Sequence, residues 1–161
     1  MSLDGSSVLV TGGTRGIGLA IALRLVRDGA KRVVLGYMRN DSAAEQAAEA
    51  VRAAGGDPVL VRGEVSKASV VEELASHGPY RVVVHNAATG VIRSALETED
   101  KHWDWTLNAN ARALLAIARA TAPAMERGSS FVAISSLGSQ RVLENYEIGR
   151  ASCRERVCVP V

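Results

Sequence analysis

The chain has 161 residues, of which 47% are hydrophobic and 22% charged, values typical of a globular domain. This length allows one domain with a sizeable core but not comfortably two. A formal net charge of +2 is too small to indicate nucleic acid or an anionic membrane as a partner. No apolar run has the length of a membrane span, and no signal peptide precedes the first apolar segment, so we expect a cytoplasmic protein.

Five short apolar segments alternate with longer helical patterns along most of the chain. We predict strands at 6–12, 31–37, 57–65, 80–88 and 130–136. Each strand is apolar nearly throughout, which is typical of a parallel sheet covered by helices on both faces. The sequence therefore predicts one Rossmann-like, doubly wound α/β domain over residues 1–146.

The helical patterns have recognisable faces and starts. The first places Ile17, Ile21 and Leu25 on one face and closes at Gly29. The next three are predicted to begin at hydroxyl N-caps, which are Ser42 (in a capping box with Glu45), Ser66 and Thr98. The last is a long helix through Glu126, and its predicted inward positions are Leu107, Ala111, Leu114, Leu115 and Ala118.

A glycine-rich loop lies directly between the first strand and the first helix. Gly12 permits a tight turn, Gly16 lets the backbone approach a pyrophosphate, and Gly18 lets the helix pack closely. The helix N-terminus then offers free N–H groups to phosphates. A glycine turn without a ligand is the alternative, which this strand–turn–helix context disfavours.

The spacing T-G-x-x-x-G-x-G resembles the cofactor loop of the short-chain dehydrogenase/reductase family. Thr11, Gly12, Gly16, Ile17 and Gly18 match that motif. The resemblance covers residues 6–146. It implies a nicotinamide dinucleotide cofactor, and the loop residues expected to bind it are Gly12, Thr14, Arg15, Gly16, Ile17 and Gly18.

The charges near the second strand favour NADPH over NADH. Rossmann sites that prefer NAD usually place an acidic residue at the end of this strand, where it accepts hydrogen bonds from the ribose 2′-OH. Here Arg39 follows the strand, no acid occurs before Asp41, and Arg15 lies in the glycine loop. Two guanidinium groups suit a 2′-phosphate, although either arginine alone could be an ordinary surface charge.

Two further segments resemble cofactor contacts of the family. Glu64-Val65 stands where the family usually has Asp-Val beside the adenine. The sequence 85–88, "HNAA", resembles the NNAG motif, so Asn86, Ala87 and Ala88 are expected below the nicotinamide ribose. We interpret His85 as a packed imidazole and not as a catalyst.

The family resemblance also implies the catalytic residues. Tyr146 would be the proton donor, Ser136 a substrate-binding hydroxyl, and Asn110 the asparagine of the long helix. Ser135 and Ser139 are neighbouring hydroxyls that could serve in place of Ser136, and the alternative for Asn110 is that it and Asn108 are ordinary exposed polar residues.

The spacing of Tyr146 separates two branches of the family. Ordinary members have the tyrosine thirteen residues after the serine, where this chain has Gly149. A tyrosine ten residues after Ser136 resembles the type III, NADPH-dependent enoyl-acyl-carrier-protein reductases, in which Tyr-x6-Lys would put a lysine at position 153. That position holds Cys153, and a thiol cannot supply the lysine's fixed charge.

The resemblance implies reduction of an enoyl thioester of acyl-carrier protein or CoA in fatty-acid synthesis, by a homo-oligomeric parent protein. A 3-oxoacyl or other carbonyl reductase is the first alternative. A dinucleotide-binding fragment without catalysis is the second, since the expected lysine is missing.

The C-terminal residues 147–161 differ abruptly in composition from the rest. They contain three arginines, both cysteines of the chain and no leucine. "EIGRASCRERV" resembles a translated sequencing adapter, so we expect a truncated fragment with a non-native tail; residues 158–161 are not explained in this way. Cys153 and Cys158 with no suitably spaced histidine are poor evidence for zinc, and dispersed histidines give no other metal site.

Overall fold

The computed structural model describes residues 2–154 and contains one parallel sheet flanked by helices. The strands are β1 (Ser7–Thr11), β2 (Arg32–Tyr37), β3 (Asp57–Arg62), β4 (Val82–His85) and β5 (Ser130–Ala133). The α-helices are α1 (Gly16–Arg27), α2 (Asp41–Ala53), α3 (Ala68–Ser76), α4 (Asp100–Leu107), α5 (Ala113–Thr121) and α6 (Glu147–Arg154). A π-helical segment, Asn108–Arg112, joins α4 to α5.

The strand order is β3-β2-β1-β4-β5, and every neighbouring pair is parallel. The chain winds outward from β1 to β3, then returns to the other side of β1 to form β4 and β5. Ligands of doubly wound sheets bind at the carboxyl ends of the strands where the winding reverses, which here is between β1 and β4. The predicted doubly wound architecture is confirmed.

Both faces of the sheet carry a hydrophobic core, because side chains alternate along each strand. In β1, Val8 and Val10 pack on the side of α1 and α2, whereas Leu9 packs on the side of α3 and α5. All three side chains are fully buried. Burial of such a side chain contributes on the order of 1.5–3 kcal/mol, which explains why the strands are apolar throughout.

All three predicted hydroxyl caps are wrong, and those of α2 and α3 are wrong for the same reason. Asn40 caps α2, because its side-chain oxygen accepts the Ala43 N–H at 3.0 Å, and Ser42 lies inside the first turn. The Ser66 hydroxyl does not cap α3; it donates to the Glu64 carboxylate at 2.8 Å. In both cases the hydroxyl side chain has the right composition for a cap but the wrong backbone position.

The long helix also differs from the prediction. Glu99, and not Thr98, is its N-cap, and the Glu99 N–H donates to the His102 ring at 3.2 Å. Leu115 is exposed, although the apolar pattern predicts that it faces inward. The π-helical segment has more residues per turn than an α-helix, which changes the phase of the buried stripe. The buried positions are Thr106, Ala109, Ala113, Leu114, Ile117, Ala118 and Thr121.

The apolar face predicted for α1 exists, but it is not the face that is most deeply buried. Ile17 is 66% exposed, and it lines a shallow surface groove together with Ile21 and Leu25. The fully buried stripe consists instead of Gly18, Ala22 and Val26. Small residues occupy this stripe because α1 packs close to the sheet.

Helix α6 begins directly after Tyr146 and packs against α4 and the short 3-10 turn at 137–139. Within residues 2–154, no helix is both long and apolar enough to span a bilayer. Residues 155–161, which include Cys158 and the unexplained segment 158–161, lie outside the described part of the chain.

Candidate cofactor-binding and catalytic site

The glycine loop is shaped by two close approaches. Gly12 has a φ of +62°, and a Cβ there would lie 3.0 Å from Ala87 Cα. A Cβ on Gly18 would collide with the Gly12 carbonyl oxygen and lie 2.6 Å from the Asn86 side-chain nitrogen. The loop, the start of α1 and the end of β4 are therefore packed backbone against backbone, which requires glycine at these two positions.

Thr11 organises the floor of the site. Its hydroxyl oxygen accepts the N–H groups of Asn86 at 3.1 Å and Ala87 at 3.0 Å. The Asn86 side-chain amide donates to the carbonyl oxygens of Thr11 at 3.1 Å and Gly12 at 3.0 Å. These bonds fix the end of β4 to the end of β1, at the point where the winding reverses.

His85 connects this floor to the π-helical segment. Its Nε2 lies 3.2 Å from the Asn110 carbonyl oxygen, and its Nδ1 lies 3.1 Å from the Thr11 hydroxyl. A carbonyl can only accept, so Nε2 carries the proton and Nδ1 accepts from Thr11. Burial lowers the pKa of His85 to about 4. The ring is thus a neutral, buried bridge, as its interpretation as a packed imidazole requires.

A cleft of about 700 Å³ extends from the glycine loop along the carboxyl ends of β1, β2 and β3. Of the twelve residues predicted to bind cofactor, eleven line this cleft and Gly18 lies behind the loop. The eleven are Gly12, Thr14, Arg15, Gly16, Ile17, Arg39, Glu64, Val65, Asn86, Ala87 and Ala88. Sequence reasoning missed several other lining residues, among them Tyr37, Met38, Trp105 and Ala109, which belong to no short motif.

The cleft fits a dinucleotide. It opens at the N-terminus of α1, where Arg15 is in the extended N-cap conformation and makes no side-chain cap. The first turn of α1 also has no acidic residue. Its N–H groups are thus available to phosphate oxygens, which they would bind with help from the helix dipole.

Two arginines give the cleft positive charge. Arg15 and Arg39 both line it and are exposed. The nearby Asp41 carboxylate is engaged elsewhere, by the Tyr37 hydroxyl at 3.0 Å and by Arg62 Nη1 at 3.4 Å. The Glu64 carboxylate accepts from Ser66. The two guanidinium groups are the side chains suited to an additional phosphate.

Ser136 and Tyr146 form a second part of the site. The Ser136 hydroxyl oxygen lies 3.3 Å from the Tyr146 phenol oxygen and accepts the Gly138 N–H at 3.2 Å. Asn145, which precedes the tyrosine, has a φ of +59°, and its carbonyl accepts the Arg93 N–H at 2.8 Å. Two hydroxyl groups are therefore brought together after β5, as the family resemblance implies.

The Tyr146 ring packs against two glycines. A Cβ on Gly138 or on Gly149 would collide with carbon atoms of this ring. Gly149 is the position where ordinary family members have their tyrosine; here it forms part of the surface that holds Tyr146. Neither glycine could be identified as a site residue from the sequence, since the contact exists only in three dimensions.

The Asn110 side chain makes hydrogen bonds to two separate segments of the chain. Its side-chain oxygen accepts the Thr89 N–H at 2.9 Å, and its amide donates to the Thr89 carbonyl at 2.9 Å and to the Ser152 hydroxyl at 3.0 Å. Among the hydrogen bonds of residues 2–154, none joins Asn110 directly to Ser136 or Tyr146. Asn110 instead ties the loop after β4 to α6, the helix that follows the tyrosine.

A parallel sheet with a glycine loop at its reversal point defines a dinucleotide-binding α/β protein, and comparison with known proteins identifies its family. The family model described as enoyl-(acyl carrier protein) reductase matches residues 12–153. An uncharacterized oxidoreductase of Methylorubrum extorquens is 32% identical over 140 residues, which cover 84% of this chain and 56% of that protein. Hydroxynaphthalene reductase of Aspergillus fumigatus is 28% identical over an alignment of 184 positions, gaps included, that covers 99% of this chain and 67% of that protein.

A solved structure agrees with these similarities. A short-chain dehydrogenase from Burkholderia cenocepacia, in complex with NADP, matches with a TM-score of 0.86 at 28% identity, covering 96% of this chain and 65% of that one. The chain belongs to the short-chain dehydrogenase/reductase family, whose members are NAD(P)H-dependent oxidoreductases. It spans between about half and two thirds of the length of the relatives that it matches.

Proposed function

We propose that the chain binds NADPH in the cleft and represents the cofactor-binding part of a reductase of enoyl thioesters carried by acyl-carrier protein or CoA. The observation that carries this proposal is the pair of Ser136 and Tyr146 hydroxyls, 3.3 Å apart although the tyrosine follows the serine by only ten residues. That short spacing is the feature that resembles enoyl reductases.

The two arginines of the cleft support NADPH as the cofactor. Arg15 and Arg39 can bind a 2′-phosphate through charge-assisted hydrogen bonds, and the Asp41 carboxylate is already paired. The related Burkholderia cenocepacia structure contains NADP, and a structure of a blue fluorescent protein from a metagenomic library, 26% identical to this chain with a TM-score of 0.89, contains NADPH.

The residues of the chain have separate tasks in this proposal. The nicotinamide cofactor, when bound, supplies a hydride. The N-terminus of α1 and the loop at 12–18 bind its phosphates, and Asn86 and Ala87 form the floor. Tyr146 and Ser136 present hydroxyl groups to the thioester oxygen, where negative charge develops, and so stabilise that charge. Asn110 positions the segment around them through its two hydrogen bonds to Thr89.

A carbonyl reductase acting on 3-oxoacyl thioesters is the second candidate. The similarity to a hydroxynaphthalene reductase favours it, whereas the short Ser136–Tyr146 spacing favours the enoyl reductase. The third candidate is a fragment that binds dinucleotide without catalysis. Cys153 favours this one, because it occupies the position at which the enoyl-reductase pattern expects lysine. An ordinary phenol with a pKa of about 10 is a poor acid at neutral pH without a neighbouring cation.

One experiment separates the three candidates. NADPH binding is measured by cofactor fluorescence, and NADPH oxidation is followed with crotonyl-CoA and with acetoacetyl-CoA; Tyr146→Phe is the control. The proposal expects NADPH binding, with any oxidation greater for crotonyl-CoA and lost in the control. Greater oxidation with acetoacetyl-CoA would favour the carbonyl reductase. Binding with no turnover of either substrate would favour the non-catalytic fragment.

We also propose that residues 147–161 are a non-native tail. Residues 147–154 form α6, and the family match extends to residue 153, but neither observation reveals the origin of the segment. Sequencing the source gene across codons 147–157 tests the proposal. Native coding sequence found there in the genome would contradict it. The homo-oligomeric state of a full-length parent stays a prediction.

A further inference from the structure

Asp41 is the only aspartate in residues 37–41, the segment at the end of β2. Its carboxylate does not point freely into the cofactor cleft. Asp41 Oδ1 accepts a hydrogen bond from the Tyr37 hydroxyl at 3.0 Å. Its Oδ2 lies 3.4 Å from Arg62 Nη1, at the end of β3. These three side chains, which we term the Asp41 clamp, bridge the ends of two neighbouring strands.

The location of the clamp relates it to cofactor choice. Tyr37, Arg39 and Asn40 line the cleft, and Asp41 follows them directly as the first residue of α2. A carboxylate at the end of the second strand is the group that accepts ribose hydroxyls in NAD-binding sites and repels a 2′-phosphate. In this chain the carboxylate is present, but each of its oxygens already has one partner.

The chemistry of Tyr37 and Arg62 suits this task. Burial, the hydrogen bond to Asp41 and the charge of Asp41 all raise the pKa of Tyr37, so the phenol stays protonated and remains a donor. Arg62 contributes a positive charge that partly offsets the carboxylate. Neither residue belongs to the glycine loop or to the pair Arg15 and Arg39.

We propose that Tyr37 and Arg62 determine cofactor specificity indirectly, by holding the Asp41 carboxylate away from the 2′ position of the adenosine ribose. This inference rests on the proposed function, since it requires a dinucleotide in the cleft. Arg62 and Tyr37 are positioning residues for Asp41, and the discrimination between NADPH and NADH depends on whether Asp41 is paired.

A double-mutant cycle tests the inference by binding alone. Dissociation constants for NADPH and NADH are measured by fluorescence for the wild type, Arg62→Gln, Tyr37→Phe, Asp41→Asn, and Arg62→Gln combined with Asp41→Asn. Both contacts of the Asp41 clamp are exposed to solvent, which weakens them. We therefore expect Arg62→Gln to weaken NADPH binding by only about twofold to fivefold. NADH binding should stay unchanged or improve, and Tyr37→Phe should have a smaller effect of the same sign.

The combined variant decides between two ways in which Arg62 could act. If Arg62 acts through Asp41, removing both charges restores wild-type NADPH affinity. If the combined variant is as weak as Arg62→Gln alone, Arg62 binds the phosphate itself and the inference is overturned. An equal loss of NADH binding in Arg62→Gln would overturn it as well.

A matched control shows that the effect belongs to the clamp. Arg52 pairs with Glu49 at 2.7 Å on the same helix as Asp41, and neither residue lines the cleft. Arg52→Gln should leave both dissociation constants unchanged. A wild type that binds neither cofactor contradicts the proposed function and this inference together, whereas normal NADPH binding with a failed cycle overturns the inference alone.

Discussion

The two ends of the site are built in different ways. At the cofactor-binding end, strand ends and the glycine loop contact each other through backbone groups, and Thr11 bonds to the two residues that follow β4. At the catalytic end, Ser136 and Tyr146 lie beyond β5 and depend on a short turn, two glycines and α6. The proposed cofactor site is therefore built by the sheet itself, whereas the Ser136–Tyr146 pair depends on the segment with the least typical composition.

The largest effect should come from Gly18→Ala at the cofactor-binding end. The added methyl group would collide with the Gly12 carbonyl oxygen and crowd the Asn86 amide, so we expect a loss of about 3 kcal/mol in the free energy of unfolding. NADPH affinity should fall as well, because the loop must move. Urea denaturation and fluorescence titration measure the two effects.

Gly55→Ala is the matched control for that substitution. Gly55 has a φ of +95°, and a Cβ added there would meet no atom within 4 Å, so only backbone strain of about 1 kcal/mol is expected. Equal losses in the two variants would mean that close packing at Gly18 is not what distinguishes the loop.

An effect of similar size should appear in the pH dependence of stability. The pKa of His85 is about 4 in the folded chain and about 6.5 when the chain is unfolded, so the unfolded chain binds more protons between these values. The stability that the neutral His85 ring contributes is complete above pH 6.5 and is lost as the pH falls towards 4. The total loss is about 3 kcal/mol.

This pH effect is measured by urea denaturation at several pH values, with His85→Gln for comparison. The variant should be less stable than the wild type at pH 7, and this difference should shrink towards pH 4. His77→Gln is the control, since His77 is only half-buried and its ring, among the described residues, bonds to Arg32 alone. If the free energies of unfolding of the wild type and of His85→Gln differed by the same amount at every pH, the buried His85 ring would not be the neutral group described above.

The smallest effect should come from Cys153→Lys at the catalytic end. In the family pattern a lysine at this position binds the nicotinamide ribose. We therefore expect NADPH affinity to rise by about threefold, because the lysine would add one charge-assisted hydrogen bond at a partly exposed site, where such a bond is weakened by solvent. Cys153→Gln controls for side-chain length. A similar rise in the glutamine variant would argue against a role for the charge, and no rise would argue against the assigned position.

Most of the fold follows from the sequence because local signals and tertiary packing agree there. All five strands are predictable as short apolar runs, and the runs of β1, β2 and β4 are continuous because these central strands are buried on both faces. The caps predicted at Ser42 and Ser66 are wrong because a cap depends on backbone position, which several neighbouring polar residues could satisfy. The prediction for Leu115 is wrong because a π-helical turn gives no signal in an apolar pattern.

The candidate site shows the same division. The glycine loop and Asn86 are predictable from short motifs that lie at strand ends, where the topology brings them together. The bonds from Asn110 to Ser152 and from Asp41 to Arg62 join residues far apart in the chain. Such partners can be identified only when the fold is known, because either residue would fit many polar environments.

The π-helical segment Asn108–Arg112 has an evolutionary consequence. A turn of this kind accommodates one extra residue inside an α-helix, so removing that residue would leave α4 and α5 with their present faces towards the sheet. The helix can thus change in length at this point without rotating either half. Insertions and deletions are normally confined to surface loops. Here a helix beside the candidate site has a position that would tolerate one, and that position carries Asn110.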